Sequence, residues 1–201
     1  MTPTRTPLES LKHGIADSMA VKTLLANDEA TLVKIVEVGE LMIQTFRRGN
    51  RVLFAGNGGS AADAQHLAAE FVSRFEFDRP GLPSIALSTD TSMLTAIGND
   101  YGFEQVFSRQ VEGLGRRGDV LLALTTSGRS PNILAALKTA RQHGLVTIGF
   151  TGAKGVGLAA SCDHLLVAPS DDTAVIQQIH MAFAHGICEV IEQTLMQGPR
   201  T

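Results

Sequence analysis

Five short apolar runs, Val52 to Ala55, Ser84 to Leu87, Val120 to Leu124, Val146 to Phe150 and His164 to Val167, recur through the middle of this chain with helical patterns between them. Such alternation predicts an α/β fold, a five-stranded parallel sheet covered by helices on both faces. The intervening helices are expected at about Ala61 to Phe75, Thr91 to Asn99, Pro131 to His143 and Val156 to Ser161, with Pro131 at a permitted first-turn position. Two more helical segments precede the first run, at about Leu8 to Ala26 and Ala30 to Arg48, and one follows the last, from about Thr173 to Gln197. With 201 residues and no internal repeat, low-complexity stretch or linker, residues 1–201 read as one domain with an N-terminal helical extension over about residues 1–50.

Composition narrows the function. Hydrophobic residues make up 44% of the chain, enough to bury a full core, and a formal charge of -3 argues against a nucleic-acid groove. No apolar run reaches the length of a membrane span, and Thr2 to Thr6 lack the apolar core of a secretory signal. A cytoplasmic location without membrane or nucleic-acid partners is expected. Cys162 and Cys188, without Cys-x-x-Cys spacing, are read as reduced, buried thiols.

The first apolar run leads into Gly56-Asn57-Gly58-Gly59-Ser60 and a helix carrying Asp63, His66 and Glu70. Gly56, Gly58 and Gly59 permit a sharp turn and close approach of a ligand to the backbone. Free N–H groups and the macrodipole at the helix start attract a phosphate. His66 and Glu70, four residues apart, share one helix face. The third run leads in the same way into Thr125-Thr126-Ser127-Gly128-Arg129-Ser130-Pro131. Its four hydroxyls and helix start suit a phosphate monoester held by neutral donors, although such a loop can also be a mere capping turn. Arg129 either adds charge there or is solvated. Ligands of open parallel sheets gather at the carboxyl ends of strands, so the two loops together point to one phosphate site.

Gly56-x-Gly58-x-x-Ala61 also satisfies the dinucleotide fingerprint. That motif needs an acidic ribose partner about twenty residues on. Here the next strand reaches Asp90 only about thirty residues after Ala61. A P-loop ATPase fits less well still, because no Gly-Lys-Ser/Thr follows the glycines.

In the C-terminal segment, Ile176, Ile179, Phe183, Ile187, Val190 and Ile191 form one helical stripe that includes His180, which marks His180 as a packing or interface histidine. His185 falls on the opposite side with Gln177, Met181, Cys188 and Glu192, a face expected to border a cleft or another subunit.

Taken in order, these motifs resemble the sugar isomerase (SIS) family, and more closely its phosphoheptose isomerases. The matching pieces are Gly56-Asn-Gly-Gly-Ser60, Asp63-Ala-Gln-His66 with Glu70 and Arg74, Asn99-Asp100-Tyr-Gly, Phe107-Ser-Arg, Thr126-Ser-Gly, and Ile176-Gln177 with His180 and His185. The loops are common to SIS proteins, whereas the quartet His66, Glu70, Gln177 and His185 is the specific part. The resemblance implies a flavodoxin-like sheet, a homotetramer with active sites between subunits, and interconversion of sedoheptulose 7-phosphate with D-glycero-D-manno-heptose 7-phosphate, the first step towards ADP-heptose for lipopolysaccharide or capsule.

It also implies residue roles. Ser60, Thr125, Ser127 and Ser130 hold the phosphate; Asn57, Asp100 and Thr126 contact sugar hydroxyls; Gly58, Gly59, Arg74, Glu70 and Gln177 complete the substrate contacts. His66, Glu70, Gln177 and His185 match a zinc site, with Glu70 also matching the base and His185 its acid partner. Thr125 stands where a serine is common. Ala174 stands where some members have an acidic residue, with Asp172 as its nearest substitute. The rival reading is a non-catalytic SIS adaptor of the replication-initiator-binding (DiaA) type, which has no physical need for the Glu70 and His185 pair.

Isomerisation through a cis-enediol needs a base, an acid and an electrophile at the developing oxyanion. A carboxylate and an imidazole supply the first two, and a divalent ion can be the third. Zinc accepts His nitrogen and carboxylate oxygen, although an amide oxygen is a less usual ligand. Ligation and base action compete for the Glu70 oxygens, which leaves Asp63 as a second proton-transfer candidate or a supporting residue. Gln177 and His185 are about 12 Å apart along a regular helix, so either the helix begins after Gln177 or one of the two serves a neighbouring subunit. Leu11, Ile15, Leu32, Ile35 and Phe46 offer apolar surface for such an assembly.

Overall fold

The computed structural model describes residues 5–196. Its strands are β1 (Val52–Gly56), β2 (Ser84–Ala86), β3 (Val120–Leu124), β4 (Val146–Gly152) and β5 (His164–Ala168), all parallel in the flavodoxin-like order β2-β1-β3-β4-β5. The helices are α1 (Pro7–Ala26), α2 (Glu29–Arg47), α3 (Gly59–Val72), α4 (Thr91–Tyr101), α5 (Ser108–Leu114), α6 (Pro131–Gln142) and α7 (Thr173–Met196). The expected end of the last helix at Gln197 lies outside the described residues.

Successive side chains of the central strands enter two different cores. Val52 and Phe54 of β1, with Val120, Leu122 and Leu124 of β3, meet α2, α3 and α7. Leu53, Ala55, Leu121 and Ala123 meet α5 and α6 on the other face. A strand buried on both faces needs apolar residues at every position, which is why these runs are continuous rather than alternating. Phe54 and Phe71 stack with ring centroids 5.8 Å apart, and full burial of each contributes about 1.5–3 kcal/mol.

Two expectations are corrected, and two short elements are unexpected. Ala153–Ser161 is a 3₁₀ segment, not an α-helix over Val156 to Ser161: Gly155 and Gly157 weaken a helix there, and Gly155 lies so close to the Thr151 hydroxyl that a Cβ would overlap it. Helix α5 and the 3₁₀ turn Phe103–Gln105 leave no periodic signal because they are short. Packing of Val106, Phe107 and Val111, with the buried Gln110 amide donating to the carbonyls of Leu87 and Val106, holds them instead. Ile35 is buried and Phe46 packs on Phe71 at 5.7 Å, so both belong to the core. Leu11, Ile15 and Leu32 remain exposed.

Helix α7 has the length and hydropathy to cross a membrane, but its stripe of Ile176, Ile179, Phe183, Ile187 and Ile191 is buried in the main core. The apolar face is thus a core face. Both cysteines are free and buried, and burial pushes the thiol of Cys162 up to about 11 and that of Cys188 to about 12. His180 is fully buried beside Phe150 and Phe183, with neither ring nitrogen partnered among the described residues.

Burial pushes the pKa of His180 down to about 4, outweighing an opposing pull from the Thr151 backbone. The unfolded chain binds this proton below about pH 6.5, so the stability held by neutral His180 is complete above that value and is lost as pH falls towards 4. By pH 5 the loss is about 2 kcal/mol. Urea unfolding at pH 7 and pH 5 should show this extra pH dependence in the parent protein and its absence in His180→Leu; equal changes in both would contradict it.

Candidate active site

Chain connections leave β1 towards β2 on one side and reach β3 on the other, so a crevice opens between the carboxyl ends of β1 and β3. Gly56 and Leu124 pair in register there, which sets the Gly56–Ser60 loop beside the Thr125–Pro131 loop. The Asn57 and Asn132 amides then exchange two hydrogen bonds, each Nδ2 donating to the other's Oδ1 at 2.9 and 2.8 Å. Asn132 is buried, and nothing in the sequence singles it out.

The two helices that start at this edge are unfinished. Side chains of Thr6, Asp28, Asp90 and Asp172 cap α1, α2, α4 and α7. Neither Gly58 before α3 nor Ser130 before α6 makes a capping hydrogen bond. The Ser130 hydroxyl instead meets the Thr125 hydroxyl at 3.1 Å. Helix starts without a side-chain cap favour an anion through the macrodipole. Gly58 and Gly128 hold positive φ of 56° and 66°, and a Cβ at Gly128 would lie 2.6 Å from the backbone of Gly155. Ser60 and Thr125 are buried, while Thr126 and Ser127 are half-buried; Ser127 Oγ accepts from the Arg129 N–H at 3.2 Å.

Helices α3 and α7 bring His66, Glu70 and His185 together. His66 Nε2 lies 3.0 Å from Glu70 Oε1 and 3.3 Å from His185 Nε2, and one donor atom from each residue falls within 4.8 Å of the others. The ring of Phe75 stacks against His185, with centroids 5.4 Å apart. Helix α7 runs unbroken through Gln177 and His185, which removes the possibility that it begins after Gln177. The Gln177 amide lies over Gly59, so close that a Cβ there would overlap it. Asp63, Gln177, Met181 and His185 line a cavity of about 500 Å³, bordered from α1 by Lys22, whose role is not legible in the sequence. Asp63 is half-buried with Oδ2 unpartnered among the described residues; burial raises its pKa while His66 pulls it down.

Other residues singled out by sequence stand apart. Asp172 Oδ1 accepts from the N–H groups of Ala174 and Val175 and so caps α7. Asp100 is exposed at the end of α4, where Oδ1 accepts from the Asn99 amide. Arg74 and Arg129 are exposed and form no side-chain ion pair among the described residues. Glu70 and His185 meet within one chain, so this pair needs no second subunit. Mixing inactive Glu70→Gln and His185→Ala subunits, with exchange verified, should recover no turnover; recovered activity would assign the two groups to different chains.

The sequence profile of the family described as SIS domain matches residues 18–152. The phosphoheptose isomerase of Bradyrhizobium sp. (strain ORS 278) is 60% identical over 194 residues, covering 96% of this chain and 98% of that protein. Among solved structures, the phosphoheptose isomerase GmhA from Neisseria gonorrhoeae superposes with a TM-score of 0.86 at 41% identity, over 94% of this chain and all of that one. A phosphoheptose isomerase from Francisella tularensis gives 0.88 at 36% identity, with the same coverage of this chain. A match of such length and identity means that the chain belongs to the SIS-domain family and, within it, to the phosphoheptose isomerases, which are aldose–ketose isomerases.

Proposed function

We propose that the chain interconverts sedoheptulose 7-phosphate and D-glycero-D-manno-heptose 7-phosphate, with Glu70 and His185 moving the protons. The observation that carries this reading is the convergence of His66, Glu70 and His185, on the helix that continues from the Gly56–Ser60 loop and on α7. The phosphate sits on Ser60, Thr125, Ser127 and Ser130 and on the free amides of the two loops. Asn57 and Thr126 serve the sugar hydroxyls, with Gly58, Gly59 and Gln177 around them; Asp100, Arg74 and Asp172, which stand apart within one chain, would join the site only from a neighbouring subunit. Glu70 takes the proton from the carbon beside the carbonyl and returns it to the neighbouring carbon, while His185 carries a proton between the two oxygens. Positioned acid–base groups of this kind contribute about 10²–10⁴ in rate.

The donor set fits zinc. Ligand bonds of about 2.0–2.1 Å in a tetrahedral site put donor atoms about 3.3 Å apart, close to the 3.0 and 3.3 Å that His66 Nε2 keeps from Glu70 and His185. His66, Glu70 and His185 would hold the ion; with α7 unbroken, Gln177 would be a fourth ligand only from a neighbouring subunit. When bound, it polarises the carbonyl oxygen. Ligation would occupy Glu70 oxygens, and Asp63, with its unpartnered Oδ2, is then the second candidate for proton transfer. The exposed residues of α1, Leu11, Ile15 and Met19, support a homotetramer built through the N-terminal extension of a single SIS domain. A cytoplasmic place at the first step of ADP-heptose formation completes the proposal.

The adaptor reading is not favoured, because a partner-binding protein has no need of this cluster. Proton NMR of purified protein with sedoheptulose 7-phosphate in deuterated water tests the proposal. The anomeric signal of the aldose should appear while solvent deuterium enters the substrate; neither event over many substrate equivalents would overturn it.

A further inference from the structure

Glu192 and Arg79 form an ion pair at 2.8 Å whose side chains are only 2% and 6% exposed. Both make further bonds, to the backbone of the turn after α3 and to the main chain of Glu70 and Phe71. The Glu192 carboxylate accepts the backbone N–H groups of Phe75, Glu76 and Phe77 at 2.8, 2.7 and 2.9 Å, which closes the turn after α3 around it. The guanidinium of Arg79 donates to the carbonyls of Glu70 and Phe71, each at 2.8 Å, and so supplies partners for the orphan carbonyls at the end of α3. Burial pushes the Glu192 carboxyl upward, but the three amide donors and Arg79 outweigh it and leave the pKa below the usual range.

The location of these bonds separates them from an ordinary buried pair. Glu192 lies seven residues beyond His185 on α7, two turns along nearly the same face. The turn it gathers carries Phe75, whose ring stacks on His185. One fork of Arg79 grips the main chain of Glu70 itself. We propose that Arg79 and Glu192 are positioning residues for the isomerisation, holding the Glu70 main chain and, through Phe75, the His185 ring in reacting register. The proposal rests on Glu70 and His185 being the proton-transfer pair. Only a planar, branched donor can reach Glu192 and two carbonyls at once, so lysine is no substitute at position 79.

Arg79→Lys keeps the charge and loses the fork, and Phe75→Leu leaves every bond to Glu192 in place and removes the ring from His185. Both are assayed well below their melting temperatures, with turnover normalised to the fraction that binds inorganic phosphate. Arg79→Lys should lower kcat tenfold or more, and Phe75→Leu at least threefold, with KM and phosphate affinity within threefold of the parent. A role confined to stability would lower the melting temperature and leave normalised kcat unchanged. Parental kcat in both variants overturns the proposal; should Arg79→Lys fail to fold, parental kcat in Phe75→Leu alone does so. Glu70→Gln in the same assay separates the two levels: its inactivity with fully active positioning variants rejects the positioning role alone, and its full activity rejects the underlying assignment.

Discussion

Exchanging Glu70 for glutamine, or His185 for alanine, should cut kcat by about 10²–10⁴ while the protein stays folded. Both side chains are only partly buried and lie outside the two apolar cores, so removing either leaves no cavity among packed core residues. On the proposed mechanism, what disappears is a group that carries a proton or holds an ion in the transition state. Affinity for inorganic phosphate should hardly change, because the loops that seat it are built from other strands' ends. Steady-state kinetics on metal-replete protein, with phosphate binding as the control for folding, decides the matter; turnover within threefold of the parent in either variant would remove that residue from the mechanism.

A different signature is expected at the anion seat. Ser60→Ala and Ser127→Ala should each weaken substrate binding by about 1.5–3 kcal/mol, roughly 10- to 150-fold in KM, with kcat changed far less. The phosphate is remote from the reacting carbons, so its hydrogen bonds are made equally in ground and transition states. Ser60 is buried at the first turn of α3, and Ser127 projects from the loop before α6. Parental KM and phosphate affinity in both variants would dismiss the two-loop seat.

The central sheet was readable because parallel strands buried on both faces write continuous apolar runs, and Val120–Leu124 matches its expected bounds at both ends. The pair of His66 and Glu70 was readable for a similar reason, since four-residue spacing is a local rule of helices. Apolar character alone did not tell which neighbour a side chain meets, so Ile35 and Phe46 looked like assembly surface although α2 turns them inward. The polar pairs were harder still. Asn57 and Asn132 are separated by 75 residues and Arg79 and Glu192 by 113, and no periodicity spans such distances. His185 came to the site through the resemblance, because a histidine on a mixed helix face has no local mark of its partners.

The missing caps of α3 and α6 set the interests of the empty protein against those of its substrate. An aspartate at position 130 could finish α6 and stabilise the unliganded chain by up to about 1 kcal/mol. Its carboxylate would then occupy the proposed seat and repel a phosphate bound there. Selection for thermal robustness and selection for turnover therefore pull this edge of the sheet in opposite directions, and a hardened version of the enzyme would have to find its gains elsewhere, in the cores or along the outer helices.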